Sequence, residues 1–176
     1  MNKRYIIFIL IAASLGISIS IGALAKTTSP RPDLHNFHNV ASGIYRGAAP
    51  TGDGLKSLKK MGIHTIIDLR ISPDQAKVEK QTAEAMGFKW INIPMGKAAP
   101  TQKQVDLFLA TLAKSHTEPV FVHCQYGADR TGCMIGIYRV QVQKWSFDQT
   151  WKEMRKYGFK PYLNDLKNAV KSRAIK

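Results

Sequence analysis

Apolar residues recur along this chain in two alternating rhythms. Residues 65–69 and 120–123 are short, almost unbroken apolar runs, the pattern of strands covered on both faces, and residues 89–93 predict a third strand. Val40 together with residues 44–46 predicts a short hairpin. Between these runs the period becomes helical: Leu55, Leu58 and Met61 share a face before Gly62, and residues 75–86 continue helically as far as Gly87, placed for a C-terminal cap. Thr101 with Gln104 is a capping-box pair, followed by Val105, Phe108, Leu109 and Leu112 on a single face. Three further helices are predicted over residues 131–143, 146–157 and 163–173. Strands alternating with helices predict an α/β fold: a mostly parallel central sheet of four to five strands, flanked by helices on both faces. In such folds ligands sit at the carboxyl ends of the strands.

The start of the chain differs from this body. Lys3 and Arg4 precede a predominantly apolar run over residues 5–21, and Ala23-Leu24-Ala25 offers a small-x-small cleavage site, which together read as an export signal. The run is also about long enough to span a bilayer, so an uncleaved N-terminal membrane anchor is the alternative. Either places the remainder outside the cytoplasm. Residues 26–39, rich in Thr, Ser, Pro and His, are expected to form a linker or an ordered arm, and residues 40–176 one catalytic domain. Without residues 1–25 the chain has 151 residues, enough for one sizeable core.

After residue 25 there are 24 Lys and Arg against 12 Asp and Glu, a net charge of +12. Such a field draws anionic substrates or a membrane surface, but no nucleic-acid-binding module accompanies it. Lys152, Lys156, Lys167 and Lys171 fall on helical faces where lysines are ordinarily solvated, and Trp145 and Trp151 fit the core. His35, His38, His64 and His116 have no ligand cluster around them, so no metal and no cofactor is expected.

Candidate chemistry concentrates in His123-Cys124-Gln125-Tyr126-Gly127-Ala128-Asp129-Arg130-Thr131-Gly132, where a thiol and a guanidinium share the loop between a buried strand and a helix. Free N–H groups and the positive end of the helix dipole gather at such a junction, which suits a dianion held by backbone amides. Gln125, Tyr126, Gly127, Ala128, Asp129, Arg130 and Thr131 are the expected phosphate-binding set, with Arg130 forking two hydrogen bonds onto phosphate oxygens. The same field favours a thiolate at Cys124, and the thiolate is the nucleophile. Gly127 marks the place where the backbone curves tightly around a ligand, and Tyr126 is placed to form part of the mouth. Thr131 either gives its hydroxyl to the sulfur or caps the helix. Cys133 is either a buried small side chain on the supporting helix or the partner in a reversible disulfide.

This decapeptide resembles the signature loop of the cysteine-dependent protein tyrosine and dual-specificity phosphatases, and most of all the bacterial exported type. Gly43-Ile44-Tyr45-Arg46-Gly47-Ala48-Ala49-Pro50 looks like the segment that opens those domains, Ile66-Ile67-Asp68-Leu69-Arg70 like their second characteristic strand, and Ile91-Asn92-Ile93-Pro94-Met95 like the strand that leads to their general-acid loop. The resemblance implies a periplasmic or extracellular enzyme that removes phosphate from phosphoproteins through a phosphocysteine. It also implies that His123 orders the loop or tunes the thiolate by hydrogen bonding; read from the residues alone, His123 is equally a satisfied, partly buried core histidine.

One departure matters. The family carries an Asp in the general-acid loop, whereas Gly96-Lys97-Ala98-Ala99-Pro100 holds no acid. Asp129 is the leading substitute, because myotubularin-like and Sac-like phosphoinositide phosphatases carry an Asp at that position of the signature. Alternatively Asp129 pairs with a base such as Arg70 and braces the loop. Asp106, on the following helix, is the third candidate. An alkoxide leaving group depends on a proton donor more than a phenol does, so the missing acid favours phosphotyrosine ahead of phosphoserine and phosphothreonine. Gln125, Tyr126 and Ala128 place no lysine inside the loop, which favours phosphoprotein over phosphoinositide. A phosphoinositide or inositol phosphate phosphatase and a non-catalytic phosphate-binding module are the other two readings.

Overall fold

The computed structural model describes residues 32–175; the export or anchor segment at residues 1–25 lies outside the described residues. In chain order the elements are β1 (His38–Ala41), β2 (Ile44–Ala48), α1 (Gly52–Lys60), β3 (Thr65–Asp68), α2 (Pro73–Ala85), β4 (Lys89–Asn92), α3 (Gln102–Leu112), β5 (Val120–Cys124), α4 (Asp129–Gln141), α5 (Phe147–Lys156) and α6 (Asn164–Lys171). The strands form one sheet in the order β1-β2-β5-β3-β4, in which β1 and β2 are the antiparallel hairpin and the other pairings are parallel. The expected α/β architecture is therefore present. β5, the last strand in sequence, is the central one, with Ala48 opposite Cys124 on one side and Asp68 opposite His123 on the other. All five of its residues are buried, as an unbroken apolar run requires.

Alternation along β5 sends its side chains to two separate cores. Val120, Val122 and Cys124 pack with Phe108 of α3, Met134 of α4, Met154 of α5 and Val170 of α6. Phe121 points the other way, to Leu55 and Leu58 of α1 and Ala83 of α2. Helices thus cover both faces. Among the described residues no helix is long and apolar enough to cross a membrane.

Local sequence sets the helix starts. The Thr51 hydroxyl accepts from the Gly54 amide, and Thr101 with Gln104 and Ser146 with Gln149 form reciprocal capping boxes. α4 is different: it begins at Asp129, two residues before the sequence-based start, on an Ala128 N-cap that offers no side-chain bond. The Gly132 amide already bonds to the Ala128 carbonyl at 2.8 Å, which draws Asp129 and Arg130 into the first helical turn.

The described part of residues 26–39 is an ordered arm. Leu34 is buried in the smaller core, the His35 carbonyl accepts from the Ala48 amide at 2.9 Å, and Phe37 stacks on Tyr45 and Phe121. Trp151 packs against the larger core as expected, whereas half-buried Trp145 lies under the Arg139 guanidinium, 4.2 Å from its ring centre.

Candidate active site

β5 ends at Cys124 and α4 begins at Asp129, so residues 125–128 make the whole turn. Each of their carbonyls is already bonded. Gln125 O accepts from the Ala49 amide (3.4 Å), Tyr126 O from Asn36 Nδ2 (3.1 Å), Gly127 O from Arg46 Nη2 (2.7 Å) and Ala128 O from the Gly132 amide (2.8 Å). The N–H groups of residues 125–130, by contrast, find no acceptor among the described residues. Uncommitted donors at the positive end of a helix without a side-chain cap are a ready cradle for an oxyanion. Cys124 lies buried at the end of the strand that leads into this cradle.

Gly127 is required here for a reason other than the curve around a ligand. Its φ is +66°, and a Cβ would come within 2.3 Å of the Gly47 carbonyl carbon in β2. Gly127→Ala is expected to destabilise the fold by more than the roughly 1–2 kcal/mol that a left-handed residue alone costs. Urea unfolding checks this; an unchanged midpoint would contradict the packing.

Arg130 sits in the first turn of α4. Its one hydrogen bond among the described residues, from Nη1 to the Met95 carbonyl, is 3.5 Å long, so the guanidinium fork is not committed to another side chain. It lines two adjoining clefts. One, of about 330 Å³, is bordered by Ile71, Met95, Lys97, Asp129, Lys160 and Tyr162. The other, of about 370 Å³, is bordered by Arg70, Ser72, Gln75 and Gln125. Tyr126, 70% exposed, lines both, which makes it the mouth residue expected from sequence.

Other expectations are corrected. Asp129 does not pair with Arg70: its Oδ1 accepts from the Lys160 amide at 2.8 Å, because the early helix start turns it toward the segment after α5 and Arg70 is engaged elsewhere. Thr131 is not the helix cap, a place Ala128 holds, and its buried hydroxyl has no hydrogen-bond partner among the described residues, the sulfur included. Asp106 is exposed on α3, accepts from Gln102 Nε2 at 2.8 Å, and lines neither cleft. Cys133 is fully buried; its thiol donates to the Leu166 carbonyl at 3.4 Å, and burial pushes it up to about 12, so it serves as a small core side chain. Both cysteines are free thiols.

His123 does not bond the sulfur either, since neighbouring residues of a strand face opposite ways. Its Nε2 is 2.8 Å from Glu79 Oε1, and its ring stacks on Phe121. Glu79, on α2, also accepts from Arg70 Nη2 (2.6 Å) and Trp90 Nε1 (3.2 Å), while the Arg70 fork donates to both Asp68 oxygens at 2.8–3.1 Å. Burial would raise Glu79, but the His123 bond and charge, then Arg70 and Trp90, hold it below the usual carboxylate range. Burial would likewise lower Arg70, and the Asp68 bonds and Glu79 charge raise it. Asp68, Glu79 and His123 bring ligand-type atoms within 4.8 Å of one another. Arg70 supplies the cation those carboxylates need, so the cluster is a closed ion network bracing β3 and α2 against β5.

Three residues escaped the sequence reading. Glu79 stood as a lone acid in the buried stripe Ala76, Glu79, Ala83 of α2, a pattern that marks a paired charge. Arg46, almost wholly buried, lay in the segment that opens the domain without a role attached. Asn36 gave no signal beyond its place in a polar arm.

Known proteins resemble this chain in sequence and in fold. The model of the family described as DSP-PTPase phosphatase fused to NAD+ kinase matches residues 25–171. The dual specificity protein phosphatase TpbA of Pseudomonas aeruginosa (strain UCBPP-PA14) is 26% identical over 163 residues, 86% of this chain and 72% of TpbA. The inositol diphosphatase DSP3 of Arabidopsis thaliana is 31% identical over 126 residues, 69% of this chain and 61% of its own length. The crystal structure of a Cys-to-Ser variant of P. aeruginosa TpbA in complex with pTyr superposes with a TM-score of 0.65 at 20% identity, covering 81% of this chain and 91% of that one. With a nucleophile loop of this form on a protein tyrosine phosphatase fold, the chain belongs to the DSP-PTPase phosphatase family, within the cysteine-dependent dual-specificity phosphatases.

Proposed function

We propose that this phosphatase acts on phosphotyrosine in proteins, with Cys124 as nucleophile, Arg130 and the amides of residues 125–130 as the oxyanion cradle, and Asp129 as general acid. The observation that carries the reading is the buried thiol at the foot of a loop whose carbonyls are all bonded and whose amides are not. In-line attack by the Cys124 thiolate forms the S–P bond as the bond to the leaving oxygen breaks. Fixed amides and Arg130 hold the equatorial oxygens throughout, and positioning of this kind does most of the work in phosphoryl transfer. Asp129 gives its proton to the leaving oxygen. Water then displaces sulfur from the phosphocysteine, Asp129 takes the water's proton, and inorganic phosphate leaves. The Lys160 amide bond to Asp129 orients that carboxylate at the edge of the cleft, so bracing and acid catalysis are compatible.

Substrate preference rests on the cleft wall. Tyr126 and Tyr162 present exposed rings beside Ile71 and Met95, a surface that suits a flat aryl group. The TpbA complex with pTyr supports the same choice. An inositol phosphate or diphosphate is the second reading. Lys97 and Lys160 join Arg130 on the same cleft, so cations reach it from outside the signature loop, and DSP3 is an inositol diphosphatase. Export, by cleavage after Ala25 or with residues 5–21 kept as an anchor, is part of this reading and rests on the sequence pattern of residues 1–25.

One experiment tests these assignments: initial rates on phosphotyrosine and phosphoserine peptides and on an inositol diphosphate, with pH–rate profiles for aryl and alkyl esters in wild type and Asp129→Asn. The phosphotyrosine peptide is expected to give the highest kcat/KM. Asp129→Asn is expected to slow the alkyl ester roughly 100-fold, the aryl ester less, and to lose the basic limb. Faster inositol diphosphate hydrolysis would establish the second reading, and unchanged Asp129→Asn profiles would remove Asp129 from the mechanism.

A further inference from the structure

We propose that Asn36 of the N-terminal arm and Arg46 of β2 are positioning residues for the phosphate cradle, acting from outside the signature motif by holding the carbonyls of Tyr126 and Gly127. The inference rests on the cradle assigned above. A trans peptide unit is planar, with its C=O and N–H pointing in opposite directions, and the described chain contains no cis peptide bond. Fixing the Tyr126 carbonyl therefore fixes the Gly127 N–H, and fixing the Gly127 carbonyl fixes the Ala128 N–H. The two side chains set the direction of consecutive donors without touching the anion.

Both residues are specialised for this. Asn36 has φ +51°, a left-handed conformation that Asn tolerates better than most residues, and its Nδ2 donates to both Tyr126 O and Tyr157 O at 3.1 Å. His38 Nε2 lies 3.0 Å from its Oδ1 and completes its amide pairing. Arg46 is 1% exposed, spends Nη2 on Gly127 O, lies 4.7 Å over the Tyr157 ring, and leaves Nε and Nη1 without hydrogen-bond partners among the described residues. A buried guanidinium with two unpaired donors is costly. Burial pulls it down to about 10, Arg139 adds to that, and Glu153, Tyr157 and Cys124 pull the other way. His38 and the nearby Lys156 complete the surrounding titratable groups. A side chain chosen for core stability alone would be apolar here; a long, fixed donor is what the Gly127 carbonyl requires.

The test compares Asn36→Asp, Arg46→Lys and Arg46→Met with wild type by vanadate inhibition constant, kcat and KM on an aryl phosphate, and melting temperature. The inhibition constant reports on the folded fraction only, so a purely structural role would lower melting temperature and leave it unmoved. Asn36→Asp keeps the backbone preference and removes the donor; it is expected to weaken vanadate binding and lower kcat/KM by about tenfold each, the value of one hydrogen bond in an electrostatic site. Arg46→Met is expected to lose about tenfold more than Arg46→Lys, whose ammonium retains the charge and one donor. Vanadate constants within about threefold of wild type in Asn36→Asp and Arg46→Lys would overturn the inference even if Arg46→Met proved too unstable to isolate. A wild type that neither binds vanadate nor turns over would instead sink the assignment of the cradle itself.

Discussion

Cys124→Ser is expected to lower turnover of an aryl phosphate by at least about 10⁴-fold while leaving the affinity for vanadate within about threefold of wild type. A serine hydroxyl stays protonated where a thiol can ionise, and no side-chain base among the described residues hydrogen-bonds to position 124 that could activate it. The proposed oxyanion cradle consists of backbone amides and Arg130, none of which the substitution touches, and the smaller oxygen adds no steric demand. Binding and chemistry therefore separate at this one atom. Acid quenching should trap a labelled covalent adduct in wild type and none in the variant. Turnover in Cys124→Ser above about 1% of wild type would rule out the phosphocysteine route.

The second large effect is on stability. Glu79→Ala should cost about 3–5 kcal/mol, because it leaves a buried guanidinium with half its counter-charge and a buried imidazole without its partner. Arg70, His123 and Trp90 all donate to this carboxylate, and among the described residues His123 Nδ1 has no hydrogen-bond partner, with Asp68 Oδ1 3.8 Å away. The pH dependence follows from the direction of the Glu79 shift. Its folded value lies below the ordinary 4.5, so its contribution is full above that pH and is lost as pH falls through the lowered value. Glu79→Gln should flatten this acid limb, so that the gap to wild type narrows as the solution is acidified. Urea unfolding across pH 3–7 measures both effects; a gap that widens toward low pH would contradict the assigned direction.

The elements and the layout of the loop were legible in the sequence because local patterns set them. The runs at 65–69 and 120–123 are β3 and β5, the Thr101–Gln104 pair is a real capping box, and the thiol and Arg130 flank one turn. What sequence did not reveal is non-local. Asn36 and Arg46 reach loop carbonyls 90 and 81 positions away, and nothing in a one-dimensional pattern reports such a meeting. Of the readings open for His123, the satisfied core histidine is the one the fold displays: strand alternation sends its ring away from Cys124 and toward Glu79. The alternative pairing of Asp129 with Arg70 fails because α4 starts two residues earlier than the pattern predicts, which turns the carboxylate to the Lys160 amide.

The strand order carries a consequence for biogenesis. β5 inserts between β2 and β3, which precede it, so the reactive sulfur gains its enclosure only once widely separated stretches have zipped together. Until that late event the thiol is open to any oxidant it meets. Newly made chains thus pass through a window of vulnerability that the folded protein no longer has, and speed of folding becomes a safeguard for the sulfur.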